Sequence, residues 1–420
     1  MKRESTTEDK DITKKQKPTS LEPATTTKPE SITSHPFFDM KKTIKWVHSL
    51  ESVLIAKTKG SEVSKNKVAA FDLDGTLITT KSGNTYAKNE SDWKWWHASV
   101  PQKMKSLHNE GFKIVLFSNQ NGLNSDKKIN SFKYKIETIL DQVDIPVIFL
   151  AALKKDRYRK PMIGMWDWFV ENNQEPIDKS LCFYVGDAAG RQANWKPNYK
   201  KDHSCCDRKF ADNIQINFFT PEEYFLNEPK AEFHWGGFHP KQHLVLDVPL
   251  YTPDTPLVVK EPELIICIGY PASGKSSFVK THIVPHGYVY VNQDTLKTRD
   301  KCVKACKQAL SEGKSVVIDN TNPEASTRNL YIKLAKEADV PVRCFYFGDN
   351  EDLAQHNNYY RALYKSEEKR DVLSIIAYRT FKSKLQEPTV QEGYTEVKRI
   401  QFKFNSPSKQ DTDAWSQWWV

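Results

Sequence analysis

Two carboxylates stand two residues apart in Asp72-Leu73-Asp74-Gly75-Thr76, directly behind the apolar run Val68-Ala69-Ala70-Phe71. At an extended strand end, residues i and i+2 face the same side, so both carboxyls can line one pocket. Phosphoryl transfer uses such a pair: one carboxylate as nucleophile, a second to move a proton, and a cation to neutralise phosphate charge. Hard carboxylate oxygens are what Mg²⁺ selects. A lone pair of this kind is also a common strand-end cap. Here, however, three more polar residues follow in order at segment ends: Ser118 after the apolar run 113–117, Lys160 in Arg159-Lys160-Pro161, and Asp187 after the apolar run 181–185. Each meets the structural context that chemistry at a sheet edge requires.

A second group begins with Gly269-Tyr270-Pro271-Ala272-Ser273-Gly274-Lys275-Ser276-Ser277, which fits G-x-x-x-x-G-K-[ST]. In such a loop the backbone N–H groups close around phosphates, Lys275 reaches the β- and γ-phosphates of ATP, and Ser276 ligates Mg²⁺. Downstream, Asp294 sits just past the run 289–291, placed to accept a proton from an attacking hydroxyl. Asp319 follows Val316-Val317-Ile318 in a Walker-B-like position, with Asn320, Thr321 and Asn322 beside it. Arg361 falls on an expected helical lid, where it can stabilise charge on a transferred phosphoryl group. As an ordered set these residues favour a small-acceptor kinase over a motor ATPase.

Elements that position these residues can be read from the apolar runs. Short runs at 68–71, 113–117, 147–150 and 181–185 alternate with helical stretches, one at 125–143 and one starting near Pro161. This predicts a parallel sheet with its site at the carboxyl edge. Residues 77–98 interrupt the rhythm and predict a hairpin or small cap. A second α/β unit has runs at 264–268, 289–291, 315–318 and 342–347. The expected organisation is a tail over 1–40, a phosphatase domain over 41–225, a Pro-rich linker over 226–260 that packs across both domains, and a kinase domain over 261–420. Both domains are expected to be α/β with mainly parallel sheets.

The first pattern resembles the haloacid-dehalogenase superfamily, whose fold is a Rossmannoid α/β sandwich. That resemblance implies that Asp72 attacks phosphorus to give an aspartyl-phosphate. Asp74 would protonate the leaving oxygen and then activate water. Ser118 would hydrogen-bond the phosphoryl group, and Lys160 would neutralise the nucleophile and phosphate. Asp187 would complete a Mg²⁺ site with Asp72 and the backbone carbonyl of Asp74. The order of phosphatase then P-loop kinase resembles the eukaryotic polynucleotide kinase 3′-phosphatases, through KVAAFDLDGTLITTKSG, YVGDAAGR, DRKFADN, GYPASGKSSF and VVIDNTNP, from about Trp46 to about residue 402. The resemblance implies removal of 3′-phosphates and ATP-dependent phosphorylation of 5′-hydroxyls at DNA single- and double-strand breaks, with Asp72 and Asp74 in one head and Lys275, Ser276, Asp294 and Arg361 in the other.

Two departures matter. Mammalian members carry an N-terminal forkhead-associated domain, whereas only a short polar tail precedes Phe37 here. The chain therefore reads as fungal-type, with no phosphopeptide-binding domain expected and contacts with repair proteins left open. Some relatives place a tryptophan a few residues past the kinase aspartate, where this chain has Thr298-Arg299-Asp300.

Net charge is +9; residues 1–35 hold seven Lys/Arg and six Asp/Glu, which leaves +8 on the remainder. A basic body suits a polyanionic partner. This speaks mildly against a metabolite phosphatase fused to a metabolite kinase. An RNA end-healing enzyme is a further reading, disfavoured by domain order. A scaffold with decayed sites is disfavoured by the intact Asp72, Asp74, Lys275 and Asp294. No apolar run is long enough for a membrane span, and no signal peptide is evident. Lys14-Lys15-Gln16-Lys17-Pro18 reads either as a nuclear import signal or as a solvated charge run, and the nucleus is the expected compartment. Seven cysteines, an odd number, fit a reducing environment, with His203-x-Cys205-Cys206 read as packed thiols rather than a zinc site. Trp93, Trp95 and Trp96 read as cap core before base-stacking groups, and His234, His239 and His243 as loop packing before metal ligands. Trp415-Ser416-Gln417-Trp418-Trp419 reads as either a docking tail or a packed end.

Overall fold

A computed structural model describes residues 44–348, 350–364 and 371–420, which belong to one compact unit. The tail 1–40, its Lys14–Pro18 motif and the expected domain start at 41 lie outside the described residues. Fifteen strands are present among them: β1 Ile44–Val47, β2 Val53–Thr58, β3 Val68–Phe71, β4 Ile78–Thr79, β5 Lys94–Trp95, β6 Lys113–Asn119, β7 Val147–Ala152, β8 Phe183–Val185, β9 Asn217–Phe219, β10 Tyr251–Thr252, β11 Leu264–Ile268, β12 Val289–Val291, β13 Val316–Ile318, β14 Val342–Tyr346 and β15 Glu396–Ile400.

Seven of them form a sheet in the order β1-β2-β7-β6-β3-β8-β9. From β7 to β9 every pair is parallel, while β1 and β2 add an antiparallel edge. Continuous apolar strands follow from burial on both faces. Along β3, Ala69 and Phe71 join one core with helices Val100–Asn109 and Asp126–Val143, through Met104, Ile136 and Ile139. Val68 and Ala70 face the other core, closed by Gly164–Glu171 and Cys206–Ile214 through Met165, Phe169 and Phe210. Because β3 lies between β6 and β8, the carboxyl ends of all three meet at one edge.

Residues 77–98 form a cap built on the antiparallel pair β4–β5. Trp93 is buried against Trp95, and Trp95 and Trp96 pack on the same core, which is the cap-core arrangement.

The second sheet runs β10-β15-β14-β11-β13-β12, parallel except at β10. Leu264, Ile266 and Ile268 face helices Arg299–Ser311 and Ala325–Glu337, whereas Ile265 and Cys267 face Lys275–His282. Segment 226–260 is more ordered than a linker of irregular chain: Pro240–Leu244 is a short helix, and β10 extends the second sheet by pairing with β15. His239 caps that helix and packs on Trp418, while the His243 Nε2 contacts the Phe402 carbonyl at 3.0 Å. These are packing roles. The final tryptophans are a packed end, with Trp415, Trp418 and Trp419 all buried. Among the described residues no helix is long and apolar enough to cross a membrane.

Candidate active sites

Asp72 directly follows β3 and is buried, with its backbone N–H donating to Val185 O at 2.9 Å. Lys160 Nζ reaches it at 2.6 Å and also reaches Asp207 Oδ1 and the Tyr184 hydroxyl, both at 2.7 Å. Asn119 holds the lysine from behind by bonding both its backbone N–H and its carbonyl at 2.9 Å. Oxygens of Asp72, Asp187 and Asp207 lie within 4.8 Å of one another, the one His/Cys/Asp/Glu cluster of metal-binding size among the described residues. His203, Cys205 and Cys206 form no such cluster, and the cysteines are free thiols.

Electrostatics in this centre are strained in one direction. Burial pushes the Asp72 carboxyl up to about 7; Lys160 opposes this, and Asp207 and Asp74 add to it. Burial also raises Asp187 well above the usual carboxylate range, reinforced by Asp72 and Asp207. Burial alone would lower Lys160, but Asp207 and Asp72 outweigh it and hold the ammonium above its ordinary value. Three carboxylates facing one ammonium are a donor set that fits a hard divalent cation.

Asp74 is turned differently. Its carboxylate accepts from Gln120 Nε2 at 2.7 Å and from Lys135 Nζ at 3.1 Å, and its side chain is half exposed. That leaves only its backbone carbonyl for the metal role the resemblance gives it. Gln120 Nε2 also donates to Ser118 Oγ at 2.9 Å, so Ser118 and Asp74 share one amide. Gly75 makes the turn possible: its φ is +83°, and a Cβ there would stand 2.5 Å from Asp187 Oδ2.

Sequence reasoning missed Asp207, although the matched stretch DRKFADN begins with it. It lies twenty residues beyond Asp187, after a loop, at the start of helix Cys206–Ile214. Lys135 and Gln120 were also missed. Lys135 did carry a signal: it is a lysine on the apolar face of Asp126–Val143, beside Phe132, Ile136 and Ile139.

In the second centre, Gly269 to Ser273 form the turn after β11, and Gly274, at φ +95°, precedes helix Lys275–His282. A Cβ on Gly274 would lie 2.7 Å from the Phe402 ring. Lys275 is buried and donates to Gly269 O at 2.9 Å, Tyr270 O at 2.6 Å and Ser273 Oγ at 3.4 Å. Ser276 hydrogen-bonds the Tyr290 hydroxyl, which donates to Asp319 Oδ2 at 2.6 Å. The other oxygen of buried Asp319, Oδ1, has no hydrogen-bond partner. An orphaned carboxylate oxygen beside the Walker serine fits a hydrated divalent cation. Asn292 caps helix Gln293–Leu296, accepting from Asp294 N at 2.9 Å, and leaves the Asp294 side chain exposed. Arg361, on Glu351–Leu363, stands near enough to Lys275 to disfavour its charge. A cavity of about 410 Å³ opens here, lined by Pro271, Gln293, Arg299, Asn320, Thr327 and Lys384 among others.

The comparisons with known proteins agree with two such centres. Residues 67–225 match the family model for polynucleotide kinase 3 phosphatase, and residues 297–388 match an AAA domain. A bifunctional polynucleotide phosphatase/kinase of Schizosaccharomyces pombe is 41% identical over 93% of this chain and 92% of its own length. A putative bifunctional polynucleotide phosphatase/kinase of Acanthamoeba polyphaga mimivirus is 33% identical over 90% of this chain and 94% of its own. A polynucleotide 3′-phosphatase of Saccharomyces cerevisiae is 29% identical, covering 38% of this chain and 87% of its own length. With likeness spanning both centres over nearly the whole length, the chain belongs to the bifunctional polynucleotide phosphatase/kinase family.

Proposed function

We propose that the enzyme prepares broken DNA ends for ligation in the nucleus, removing 3′-phosphates at the first centre and phosphorylating 5′-hydroxyls at the second. The observation that carries the reading is the Lys160 ammonium bonded to Asp72, Asp207 and Tyr184 at the sheet edge where Asp187 also lies. At that edge Asp72 attacks the phosphorus, the bond to the 3′-oxygen breaks, and Asp74 gives that oxygen its proton. Water then attacks the aspartyl-phosphate, Asp74 takes the water's proton, and inorganic phosphate leaves. Lys160 favours the ionised form of Asp72 against its burial, Ser118 donates to the phosphoryl oxygens, and Gln120 with Lys135 holds Asp74. Mg²⁺ bound by Asp72, Asp187 and Asp207 would supply charge neutralisation.

At the second centre the 5′-oxygen attacks the γ-phosphorus of ATP, Asp294 accepts the hydroxyl proton, and the bond to the β–γ bridging oxygen breaks to release ADP. Lys275 and Arg361 take up charge on the transferred group, while Ser276 and Asp319 suit Mg²⁺. The neighbouring cavity is of nucleotide size, with Arg299 and Lys384 supplying cationic groups for the backbone phosphate of the acceptor. Matched DNA and RNA oligonucleotides bearing 3′-phosphate and 5′-hydroxyl ends, incubated with Mg²⁺ and ATP, test this directly. Asp72→Asn should abolish 3′-phosphate removal and spare phosphorylation, and Lys275→Ala should do the reverse. Dephosphorylation confined to small metabolites would overturn the reading, and preference for RNA would overturn its DNA assignment. Loss of nuclear accumulation when residues 14–18 are replaced would support the compartment, and unchanged accumulation would remove that signal as its cause.

A further inference from the structure

The C-terminal residues make a connection that neither reaction accounts for. Trp415, fully buried, is stacked on Phe404 with ring centroids 4.9 Å apart. Its indole N–H donates to Asn357 Oδ1 at 2.8 Å, and the Asn357 amide donates onward to the Ala272 carbonyl at 3.2 Å. Ala272 lies inside the Walker loop and holds φ +62°, a left-handed conformation that a residue with a Cβ keeps only when its surroundings enforce it. His356 Nε2 donates to the Trp415 carbonyl at 2.9 Å, so two successive residues of one helix grip the tryptophan.

Beyond Trp415 the chain crosses to the first domain. Trp418 donates its indole N–H to Asp212 Oδ2 and its backbone N–H to Asn213 Oδ1, both at 2.8 Å, and accepts from Asn213 Nδ2 at 2.9 Å. Its ring stacks on Trp235 at 5.1 Å. Lys209 Nζ reaches the Val420 carbonyl oxygen at 2.8 Å. Lys209, Asp212 and Asn213 all belong to helix Cys206–Ile214, which also carries Asp207.

We propose that Trp415 is a positioning residue for the nucleotide. Through Asn357 it holds the Walker turn at Ala272, and residues 418–420 fix Trp415 by clasping the phosphatase helix. The proposal rests on the kinase reading for its ligand, ATP, and not on the identity of the acceptor. A phenylalanine at 415 keeps the ring packing and removes the N–H. One lost buried hydrogen bond should raise the KM and the dissociation constant for ATP by about three- to tenfold.

The test uses the full chain. Trp415→Phe is measured for ATP KM and kcat in 5′-phosphorylation, for ATP affinity by direct titration, for 3′-phosphate removal and for melting temperature. The expected result is weaker ATP binding with 3′-phosphate removal unchanged. Asn357→Asp, which keeps the acceptor for Trp415 and loses the donor to Ala272, gives a second reading if the first variant folds poorly. The double variant should be no worse than the poorer single one, because both break one link. Unchanged ATP affinity in both single variants would overturn the proposal. So would additive losses, or equal losses of both activities tracking a fall in melting temperature. A wild-type chain that binds ATP but phosphorylates no 5′-hydroxyl would sink the kinase reading alone, since the titration arm still tests the link.

Discussion

ATP affinity should fall as pH rises above about 8, because of how Lys275 is held. In the protein alone its Nζ is buried and donates only to uncharged oxygens of Gly269, Tyr270 and Ser273. Burial pushes the ammonium down; Asp319 pulls it back and Arg361 adds to the depression, leaving it at about 8 against an ordinary 10.5. Phosphate oxygens bring the charge partner it lacks and restore at least the ordinary value. A group whose pKa rises on binding gives its full contribution below the lower pKa and loses it as pH climbs between the two. The lysine is about three-quarters charged at pH 7.5 and about one-tenth charged at pH 9, so the dissociation constant should rise about eightfold across that interval. Calorimetry in two buffers of different ionisation enthalpy should show about 0.9 proton taken up per ATP bound at pH 9. Lys275→Arg, whose guanidinium stays charged throughout, should show neither effect. A wild-type dissociation constant that stays level from pH 7.5 to 9 would refute the argument, as would proton uptake equally large in the arginine variant.

Asp207→Asn should slow 3′-phosphate removal by about a hundredfold, as loss of a group that orders a metal site does, while 5′-phosphorylation stays within a factor of about two; end-labelled oligonucleotides report both rates, and equal losses would contradict the placement of Asp207. Gly75→Ala puts a Cβ 2.5 Å from Asp187 Oδ2 at φ +83°. It should cost about 1–2 kcal/mol in urea denaturation and raise the Mg²⁺ needed for half-maximal 3′-phosphate removal. Burial holds the His356 imidazole at about 3 against an ordinary 6.5, so its contribution to stability is present above pH 6.5 and lost as pH falls. The stability gap between wild type and His356→Gln should therefore narrow by about 2 kcal/mol from pH 7 to pH 5, and a constant gap would show that His356 is not the titrating group.

What could be read from the chain depended on whether a feature was local. Asp72 and Asp187 come just after short apolar strands, Ser118 lies near the end of another, and the Walker loop joins a strand to a helix, so periodicity locates them. The helix over Asp126–Val143 was visible for the same reason. Strand β15 was not, because its sequence EVKRI is polar; Lys398 is nonetheless wholly buried, since its Nζ finds the carbonyls of Pro253 and Thr255 at 2.7 and 3.0 Å. Strands β1 and β2 join an otherwise parallel sheet from its antiparallel edge, and nothing local specifies that partner. Asp207 and Lys135 come to the site from helices, where position relative to the strand ends depends on packing. A charged residue on an apolar helical face marks such a case without naming its partner. The terminal tryptophans show the same limit, since their contacts lie about 205 residues away at Asp212 and Asn213.

Charge separates the two centres more sharply than their folds do. The first centre sets three carboxylates, Asp72, Asp187 and Asp207, against one ammonium, Lys160, while Lys135 already offsets Asp74. Fully ionised, that set is net −2 and repels a phosphate dianion. Its burial makes the cost large enough to raise Asp72 and Asp187 toward protonation. On the proposed mechanism, a divalent cation held by Asp72, Asp187 and Asp207 would neutralise the pocket and favour the ionised form of Asp72. The kinase centre sets Lys275 and Arg361 against Asp319 and Asp294, a neutral balance that admits ATP with the metal the nucleotide carries. The proposed function thus makes free Mg²⁺ a requirement of the first centre and a companion of the nucleotide at the second. Titrating Mg²⁺ at fixed, saturating Mg·ATP should therefore change 3′-phosphate removal while leaving 5′-phosphorylation level. Parallel dependence of both activities would mean that the carboxylate cluster is not what sets the requirement.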